Sequence, residues 1–270
     1  MIKRGFYDLV IASALWGTIG IATQIGYEHG ANVFQIILFR SLSSSFLIFT
    51  IFNNFKRILN RISFIMGIVT IIFYETYVYS VNVLGASLSA VFLYTAPLWV
   101  LLASKFFLKD KITIRKILSS LLVIIGVYFI YFSKISIVDI GWGLASGFTY
   151  GLLIIYSRFM QNKDFSDKEI LASQAIWSLP FSFFFYLLSP NLTFSSIYTG
   201  IYLGIVATFL AYIFFYRGMR RTDSITASVV SSLEPVFTII FAMIILHQFL
   251  TTLQLFGSII IIFSSILISF

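Results

Sequence analysis

Apolar segments of about 20 residues follow one another from Tyr7 to Phe270, with short polar breaks between them. A helix of about 20 residues is roughly 30 Å long, enough to cross the hydrocarbon layer of a membrane. The chain is 59% hydrophobic and only 10% charged, which is too apolar for a water-soluble fold of 270 residues. The sequence therefore predicts an all-α integral membrane protein whose surroundings are the lipid bilayer.

Basic residues occur in alternate connections between these segments. When the N-terminus is placed in the cytoplasm, 15 of the 18 lysines and arginines fall on the cytoplasmic side and only Lys134 falls outside, while Arg40 and Lys105 lie within predicted spans. This excess of cytoplasmic positive charge predicts that both termini are cytoplasmic and explains the net charge of +8 without a nucleic-acid partner. We predict ten transmembrane helices, near residues 7–27, 32–52, 62–82, 86–107, 116–133, 138–158, 169–189, 197–217, 224–246 and 252–270.

The two halves of the chain carry related motifs. The blocks Leu93–Pro97 and Ser231–Pro235 both place a proline in the middle of an apolar segment. Near the start of each half, Trp16-Gly17 aligns with Tyr150-Gly151. The matches indicate an internal duplication.

The duplication divides the chain into five-helix repeats at residues 1–134 and 135–270. Because five is odd, the second repeat must enter the membrane from the opposite side, and the repeats are inverted. Inverted repeats typically form a midplane site that opens to either side in turn. This arrangement predicts a secondary transporter with a small-molecule substrate.

Several motifs recur along the chain in a fixed order: Ala14–Gly17, Leu38–Arg40, Ala96-Pro97, Leu108–Thr113, Glu234-Pro235 and Leu246–Thr251. Their order and spacing resemble the EamA-like branch of the drug/metabolite transporter superfamily. The resemblance implies export or exchange of amino acids, other small metabolites or drugs, in the plasma membrane of a prokaryote. That family often has Gly-Glu after each proline-containing helix, where this chain has Lys109-Asp110 and His247-Gln248.

Arg40, Glu75 and Glu234 are the charged residues that lie most clearly inside predicted spans. A charge in the hydrocarbon is unfavourable unless it is paired or hydrated, so these side chains must face the protein interior. They could form structural ion pairs or the floor of a cavity that binds substrate or protons. From their depths we expect Arg40 to pair with Glu75, and Glu234 to lie near the midplane without a dedicated cation.

Aromatic and small polar residues at helical spacing predict the lining of this cavity, although most aromatic residues of such a chain face lipid. We expect the substrate-binding residues to be Trp16, Thr23, Arg40, Glu75, Tyr79, Tyr94, Tyr150, Tyr212 and Glu234. Gly143, Gly147 and Gly151 recur at every fourth residue, which predicts close packing of another helix on that ridge.

Pro97 and Pro235 each remove a backbone donor from the middle of a span, so we expect both helices to bend there. The bends could act as hinges during transport, or they could be static kinks whose free carbonyls are satisfied by nearby hydroxyl groups.

Other classes of function fit the sequence less well. No paired aspartates, zinc-binding helix or activated serine predicts an enzyme, and two isolated histidines with no cysteines predict neither a metal site nor another cofactor. A nucleotide-sugar or phosphate-ester exchanger would need several buried cations, and a membrane scaffold would not need midplane charges. The sequence thus favours export of amino acids or similar amphipathic metabolites and drugs, with protons as a possible coupling ion.

Overall fold

The computed structural model describes residues 5–108, 111–130, 140–245, 247, 249 and 251–269, which are helical apart from short connections and contain no strand. Lys109-Asp110, Lys134 and Gln248 lie outside the described residues. The α-helices are α1 (Gly5–Gly17), α2 (Ile19–Glu28), α3 (Val33–Ile51), α4 (Arg61–Leu93), α5 (Ala96–Ala103), α6 (Ile114–Ile130), α7 (Ile140–Asn162), α8 (Asp167–Tyr186), α9 (Phe194–Tyr202), α10 (Ala211–Arg221), α11 (Ser224–Ser231), α12 (Glu234–Ile245) and α13 (Thr252–Ser269).

Seven segments of the described chain are long and apolar enough to cross a membrane. This confirms the prediction of a multi-pass helical membrane protein. Several of these segments join two or more helices, as in Phe194–Arg221, where the π-helical turns Leu203–Leu210 connect α9 to α10. The seven segments are Gly5–Glu28, Val33–Ile51, Ser89–Leu108, Ile140–Asn162, Phe194–Arg221, Ser224–Ile245 and Thr252–Ser269.

Helix α4 departs from the prediction, because its backbone stays helical through residues 83–85, where the sequence predicts a break. This stretch contains no proline, so the helical hydrogen bonds can continue. Contacts with α7 nevertheless come from both ends of α4. The Oγ1 atoms of Thr76 and Thr149 are 2.8 Å apart, and a side chain at Gly147 would collide with the Phe92 carbonyl.

A straight helix would place Thr76 and Phe92 roughly 24 Å apart, yet both lie at one level of α7. The part of α4 before Tyr79 runs antiparallel to α7, since the Tyr156 hydroxyl of α7 donates to the Ile62 carbonyl while the Tyr79 ring packs at a tilt against Trp142. The axis of α4 therefore bends sharply between Tyr79 and Phe92.

Both proline-containing segments are interrupted directly before the proline. Helix α4 ends at Leu93 and α5 begins with Ala96-Pro97, while α11 ends at Ser231 and α12 begins with Glu234-Pro235. Proline is compatible with the first turn of a helix because the amide donors there have no partner within the helix.

Hydroxyl groups satisfy carbonyls at both interruptions. The Thr95 hydroxyl donates to the Phe92 carbonyl at 2.6 Å, and the Ser13 hydroxyl donates to the Val230 carbonyl at 3.1 Å. The second bond comes from the other half of the chain, so packing between the halves holds the interruption in α11–α12.

Glycines at equivalent positions pack each half against the interruption in the other half. A Cβ atom at Gly17 would come within 2.6 Å of Phe237 Cβ, and one at Gly151 would come within 2.9 Å of Trp99 Cβ. Phe237 and Trp99 each lie two residues after the proline. Both contacts depend on the missing side chain, which lets the helices approach closely. Gly147 also packs against α4–α5, in agreement with the predicted ridge.

Candidate functional site

Arg40 on α3 extends towards the second half of the chain. Its Nε atom donates to the Thr208 hydroxyl at 2.6 Å, and its guanidinium lies 4.6 Å from the centre of the Tyr74 ring. Thr208 belongs to the π-helical turns between α9 and α10. An arginine over an aromatic face is stabilised by the ring quadrupole, and this stabilisation is larger where water is excluded. The side chain is thus oriented by one hydroxyl and one ring.

The predicted ion pair between Arg40 and Glu75 is wrong. None of the ion pairs found among the described residues includes either side chain. Glu75 immediately follows Tyr74, and successive residues of an α-helix point about 100° apart. Because Tyr74 faces Arg40, Glu75 points elsewhere, and its Oε1 atom is buried without a hydrogen-bond partner.

Glu234 begins α12 directly after the interruption, where the helix dipole favours a negative charge. Its carboxylate accepts a hydrogen bond from the Tyr94 hydroxyl, and Arg40 lies within electrostatic range. Tyr150 is hydrogen-bonded to Ser231, one turn before Glu234, and also lies within electrostatic range of the carboxylate. Both tyrosines are almost fully buried.

Tyr77 on α4 lies within electrostatic range of both Glu234 and Arg40. The structure therefore brings together one acid, one base and three tyrosine hydroxyl groups from both halves of the chain. We call this set the central cluster, and its members are Arg40, Tyr77, Tyr94, Tyr150 and Glu234.

Trp16 and Tyr212, two further predicted site residues, form a packed aromatic wall. The Trp16 indole donates to the Ala207 carbonyl at 2.8 Å, and its ring lies edge-on to Tyr212 at 5.2 Å. Each residue is 3% exposed. Tyr212 in turn lies 5.4 Å from Tyr216, whose hydroxyl donates to Gln174. The wall is therefore held by specific hydrogen bonds at both ends.

Among the described residues, no contact brings Thr23 or Tyr79 into the central cluster. Thr23 is partly buried on α2. Tyr79 is 47% exposed and packs against Trp142 at 4.4 Å. The predicted site therefore separates into a charged cluster, an aromatic wall and outlying residues. Among the latter is Glu75, whose Oε1 atom has no hydrogen-bond partner in the part of the chain that the structure describes.

Sequence reasoning missed Tyr74 and Tyr77, which contact or approach Arg40. The signal for Tyr74 was available, because it aligns with Tyr212 at the same offset that relates Pro97 to Pro235. Tyr77 lies three residues further on, within reach of the same helix face. No comparable signal distinguished Tyr77 from the other tyrosines of this chain.

Ion pairs connect several helices at the end of the molecule where the basic residues collect. The Asp8 carboxylate bonds Arg217 and, at 3.0 Å, Arg221, so that α1 is tied to α10. Arg57 Nε lies 2.8 Å from Glu169 at the start of α8. We call this group, completed by Lys116–Asp223 and Arg220–Asp167, the basic-end network.

Two carboxyl groups of this network have perturbed acidity. Burial raises the pKa of Glu169, but hydrogen bonds from Arg57 and Ser166 outweigh it and hold that pKa below its ordinary value. The pKa of Asp223 is likewise lowered, because bonds from Thr226 and the charge of Lys116 outweigh burial. Both carboxylates are therefore charged at neutral pH, and the network is held electrostatically.

These features define a multi-pass helical membrane protein with a charged, tyrosine-lined cluster between its two halves. The chain belongs to the EamA-like transporter family, because the model of that family matches residues 4–132 and again residues 138–270. No curated protein matches the sequence.

Known structures share the fold at low sequence identity. A protein known from a crystal structure superimposes with a TM-score of 0.82 over 98% of this chain and 96% of its own, at 14% identity. At that identity the similarity concerns the fold alone. Among the described residues of this chain, no three His, Cys, Asp or Glu side chains are grouped in a way that could hold a metal ion.

Proposed function

We propose that this protein is a secondary transporter that exports zwitterionic amino acids with apolar side chains, or similar small amphipathic metabolites. The observation that supports this proposal most directly is that Arg40 and Glu234 lie within electrostatic range of each other in the membrane-spanning part of the molecule. Membership of a transporter family supports the general function.

The central cluster suits a substrate that carries both charges. Glu234 can accept hydrogen bonds from an ammonium group, and Arg40, which uses Nε for Thr208, retains further donors for a carboxylate. Tyr94 and Tyr150 add hydroxyl groups and ring faces that suit an apolar side chain. A phosphate ester would bring at least one additional negative charge without a second cation in the cluster.

We further propose that the chain crosses the membrane ten times as two inverted repeats. The equivalent contacts of Gly17 with Phe237 and of Gly151 with Trp99 support a two-fold relation between the halves. The contacts of both ends of α4 with one level of α7 support two spans in that region. Inverted repeats would let the protein alternate between states open to opposite sides, with Pro97 and Pro235 as the proposed hinges.

The basic-end network is proposed to face the cytoplasm, with both termini on that side, in the plasma membrane of a prokaryote. The positive-inside rule supports this orientation.

Because the native chain has no cysteines, single cysteines can test this orientation. Cysteines at Gly30 and Thr193 should react with an impermeant thiol reagent from outside, whereas those at Asn54 and Asn162 should react only from inside. External labelling at Asn162 would contradict the ten-span arrangement.

Proteoliposomes provide the decisive test of transport. Vesicles containing the purified chain should take up labelled phenylalanine faster than labelled glutamate or glucose 6-phosphate. The Glu234→Gln variant should lose this uptake, and Lys56→Gln, which changes an exposed cytoplasmic residue, should retain it. If glucose 6-phosphate moves fastest, the exchanger alternative is correct. If no compound moves in the wild type, the proposal fails.

A further inference from the structure

We propose that Glu75 is a proton-binding site, separate from the central cluster, which couples substrate export to proton entry. The coupling part of this inference rests on the proposed transport function. The structure reverses the roles that the sequence suggests for the two acids, because Glu234 has a nearby cation and a tyrosine donor whereas Glu75 has neither.

The surroundings of Glu75 favour a neutral carboxyl group. Both of its neighbours in sequence interact with other residues. The Tyr74 ring lies beneath the Arg40 guanidinium, and the Thr76 hydroxyl is hydrogen-bonded to the Thr149 hydroxyl. Glu75 is partly buried, and its Oε1 atom has no hydrogen-bond partner. An ionised carboxylate without a partner is strongly disfavoured at membrane depth, so the protonated form is the stable one in this conformation.

The charged groups around α4 do not compensate Glu75. Helix α4 packs against α6, α7, α8 and the short 3₁₀ turn Phe55–Ile58. Arg40 of α3 also reaches α4, but its guanidinium lies over the Tyr74 ring and forms no ion pair with Glu75 among the described residues. Among the described residues, no ion pair joins a charged group of these elements to Glu75. Their titratable or charged side chains are Lys56, Arg57, Arg115, Lys116, Tyr128, Tyr150, Tyr156, Arg158, Asp167, Lys168, Glu169 and Tyr186, and α4 itself adds Arg61, Tyr74, Tyr77 and Tyr79.

Among the polar groups on the helices that pack against α4, Tyr150 lies closest to the level of Glu75 in the membrane, because its ring stacks on Phe73 at 4.9 Å. Its hydroxyl, however, is hydrogen-bonded to Ser231. Tyr156 bonds the Ile62 carbonyl near the start of α4, and Arg158 bonds the Met219 carbonyl at the basic end. Each of these three polar groups therefore has a partner other than Glu75.

The proposed step is simple in its chemistry. One proton from the outer side binds the Glu75 carboxylate and forms a neutral carboxylic acid, and the same proton leaves to the inner side after the protein changes conformation. No other bond is made or broken. Within the span 62–82 predicted from the sequence, Glu75 lies closer to the outer end than to Arg61 at the basic end, which suits protonation from outside. Glu234 would meanwhile remain with the substrate.

Infrared difference spectroscopy tests the proton site without any substrate. The purified full chain in lipid vesicles should show the carbonyl band of a protonated carboxyl group, and this band should disappear as the pH is raised. This band should be missing from Glu75→Gln and retained in Glu234→Gln. If Glu75→Gln does not fold, Glu75→Asp should shift the band while preserving its titration.

Transport measurements then test coupling. In vesicles with equal phenylalanine concentrations on both sides, an imposed pH difference should drive phenylalanine accumulation in the wild type and none in Glu75→Gln. Exchange of labelled for unlabelled phenylalanine at equal pH should continue in Glu75→Gln and stop in Glu234→Gln. A carboxyl band or pH-driven accumulation that persists in Glu75→Gln would overturn the inference. Lack of phenylalanine movement in the wild type would instead refute the proposed function, whereas the infrared result would still stand.

Discussion

The Asp8 carboxylate accepts a hydrogen bond from Arg217 Nε at 3.0 Å, across a separation of 209 residues. This contact joins the start of α1 to the last turns of α10, and Asp8 is only 6% exposed. Because Arg221 bonds the other carboxylate oxygen, one acid holds two arginines. The basic end is therefore closed by a contact that a single substitution can remove.

Asp8→Asn should open the basic end of the molecule. The substitution removes the charge that holds Arg217 and Arg221 together, and it leaves two like charges beside each other. A reporter cysteine at Ser157, which is fully buried near Tyr216, should then react faster with a thiol reagent applied from the basic side. Arg115→Gln is the control, because Arg115 is exposed and forms no ion pair among the described residues. Equal labelling rates in both variants would show that Asp8 does not close this end.

The network should also make stability depend on pH. Glu169 and Asp223 have folded-state pKa values below their ordinary values, so each contributes stability that is present above its unfolded pKa. That stability is lost as the pH falls through the folded pKa. The thermal unfolding midpoint in detergent should therefore decrease as the pH is lowered below about 4, the ordinary range of these groups.

Asp223→Asn should flatten this dependence because it removes one of the two titrating groups. Asp223→Ala should lower stability at neutral pH as well, by about 1 kcal/mol, because its side chain also caps α11 through the Thr226 amide. An acid-induced decrease of the same size in wild type and Asp223→Asn would contradict the assignment.

Gly17→Ala should destabilise the interface between the two halves. The added methyl would lie 2.6 Å from Phe237 Cβ and 3.0 Å from the Thr238 amide nitrogen, so backbone must move. Overpacking of this kind costs about 1–3 kcal/mol. Gly141→Ala is a matched control, because nothing lies within 4 Å of its added methyl. The thermal unfolding midpoints of the two variants are compared. Equal midpoints would show that the contact between Gly17 and Phe237 can accommodate a methyl group.

Thr208→Val should weaken substrate binding more than it weakens the fold. It removes the hydroxyl that orients the Arg40 guanidinium, and a hydrogen bond to a charged group contributes about 1.5–3 kcal/mol. The half-saturating concentration of phenylalanine should therefore rise by roughly tenfold or more. Thr70→Val removes a buried hydroxyl that bonds only its own helix, at Met66, and should leave that concentration unchanged. An equal effect of both variants would rule out a specific role for Thr208.

The class of fold could be predicted from the sequence because lipid imposes a simple constraint. Apolar length and the placement of basic residues are properties of a linear segment, so they require no knowledge of tertiary contacts. The interruptions before Pro97 and Pro235 follow from a local property as well, since proline lacks an amide donor. In contrast, the break between α1 and α2 at Thr18 has no proline to indicate it.

The site could be predicted only in part, for a geometric reason. Membrane depth indicates which charges lie at similar levels, and it therefore selected Arg40, Glu75 and Glu234. Depth does not determine the direction in which a side chain points around its helix. Tyr74 faces Arg40, and Glu75 one residue later does not, so the predicted pair failed by about 100° of rotation. Predicting that angle requires the packing of α4 against its neighbours.

Pro235→Ala tests whether the interruption between α11 and α12 serves transport. The substitution restores an amide donor and removes the ring that prevents a continuous helix, so the segment should straighten. Uptake of phenylalanine per folded molecule should then slow. The free energy of unfolding should change less than the uptake rate does, because the Ser13 hydroxyl still donates to the Val230 carbonyl and Gly17 still packs on Phe237.

Pro180→Ala is the matched control, because Pro180 lies inside α8 in a helix that continues past it without interruption. Both substitutions remove the same ring, but only one lies at a break beside the central cluster. If Pro180→Ala slows uptake as much as Pro235→Ala, the effect belongs to proline content in general. If Pro235→Ala lowers the unfolding midpoint while the rate per folded molecule is unchanged, the interruption is a static kink. A selective loss of rate in Pro235→Ala would establish that the break beside Glu234 moves during the transport cycle.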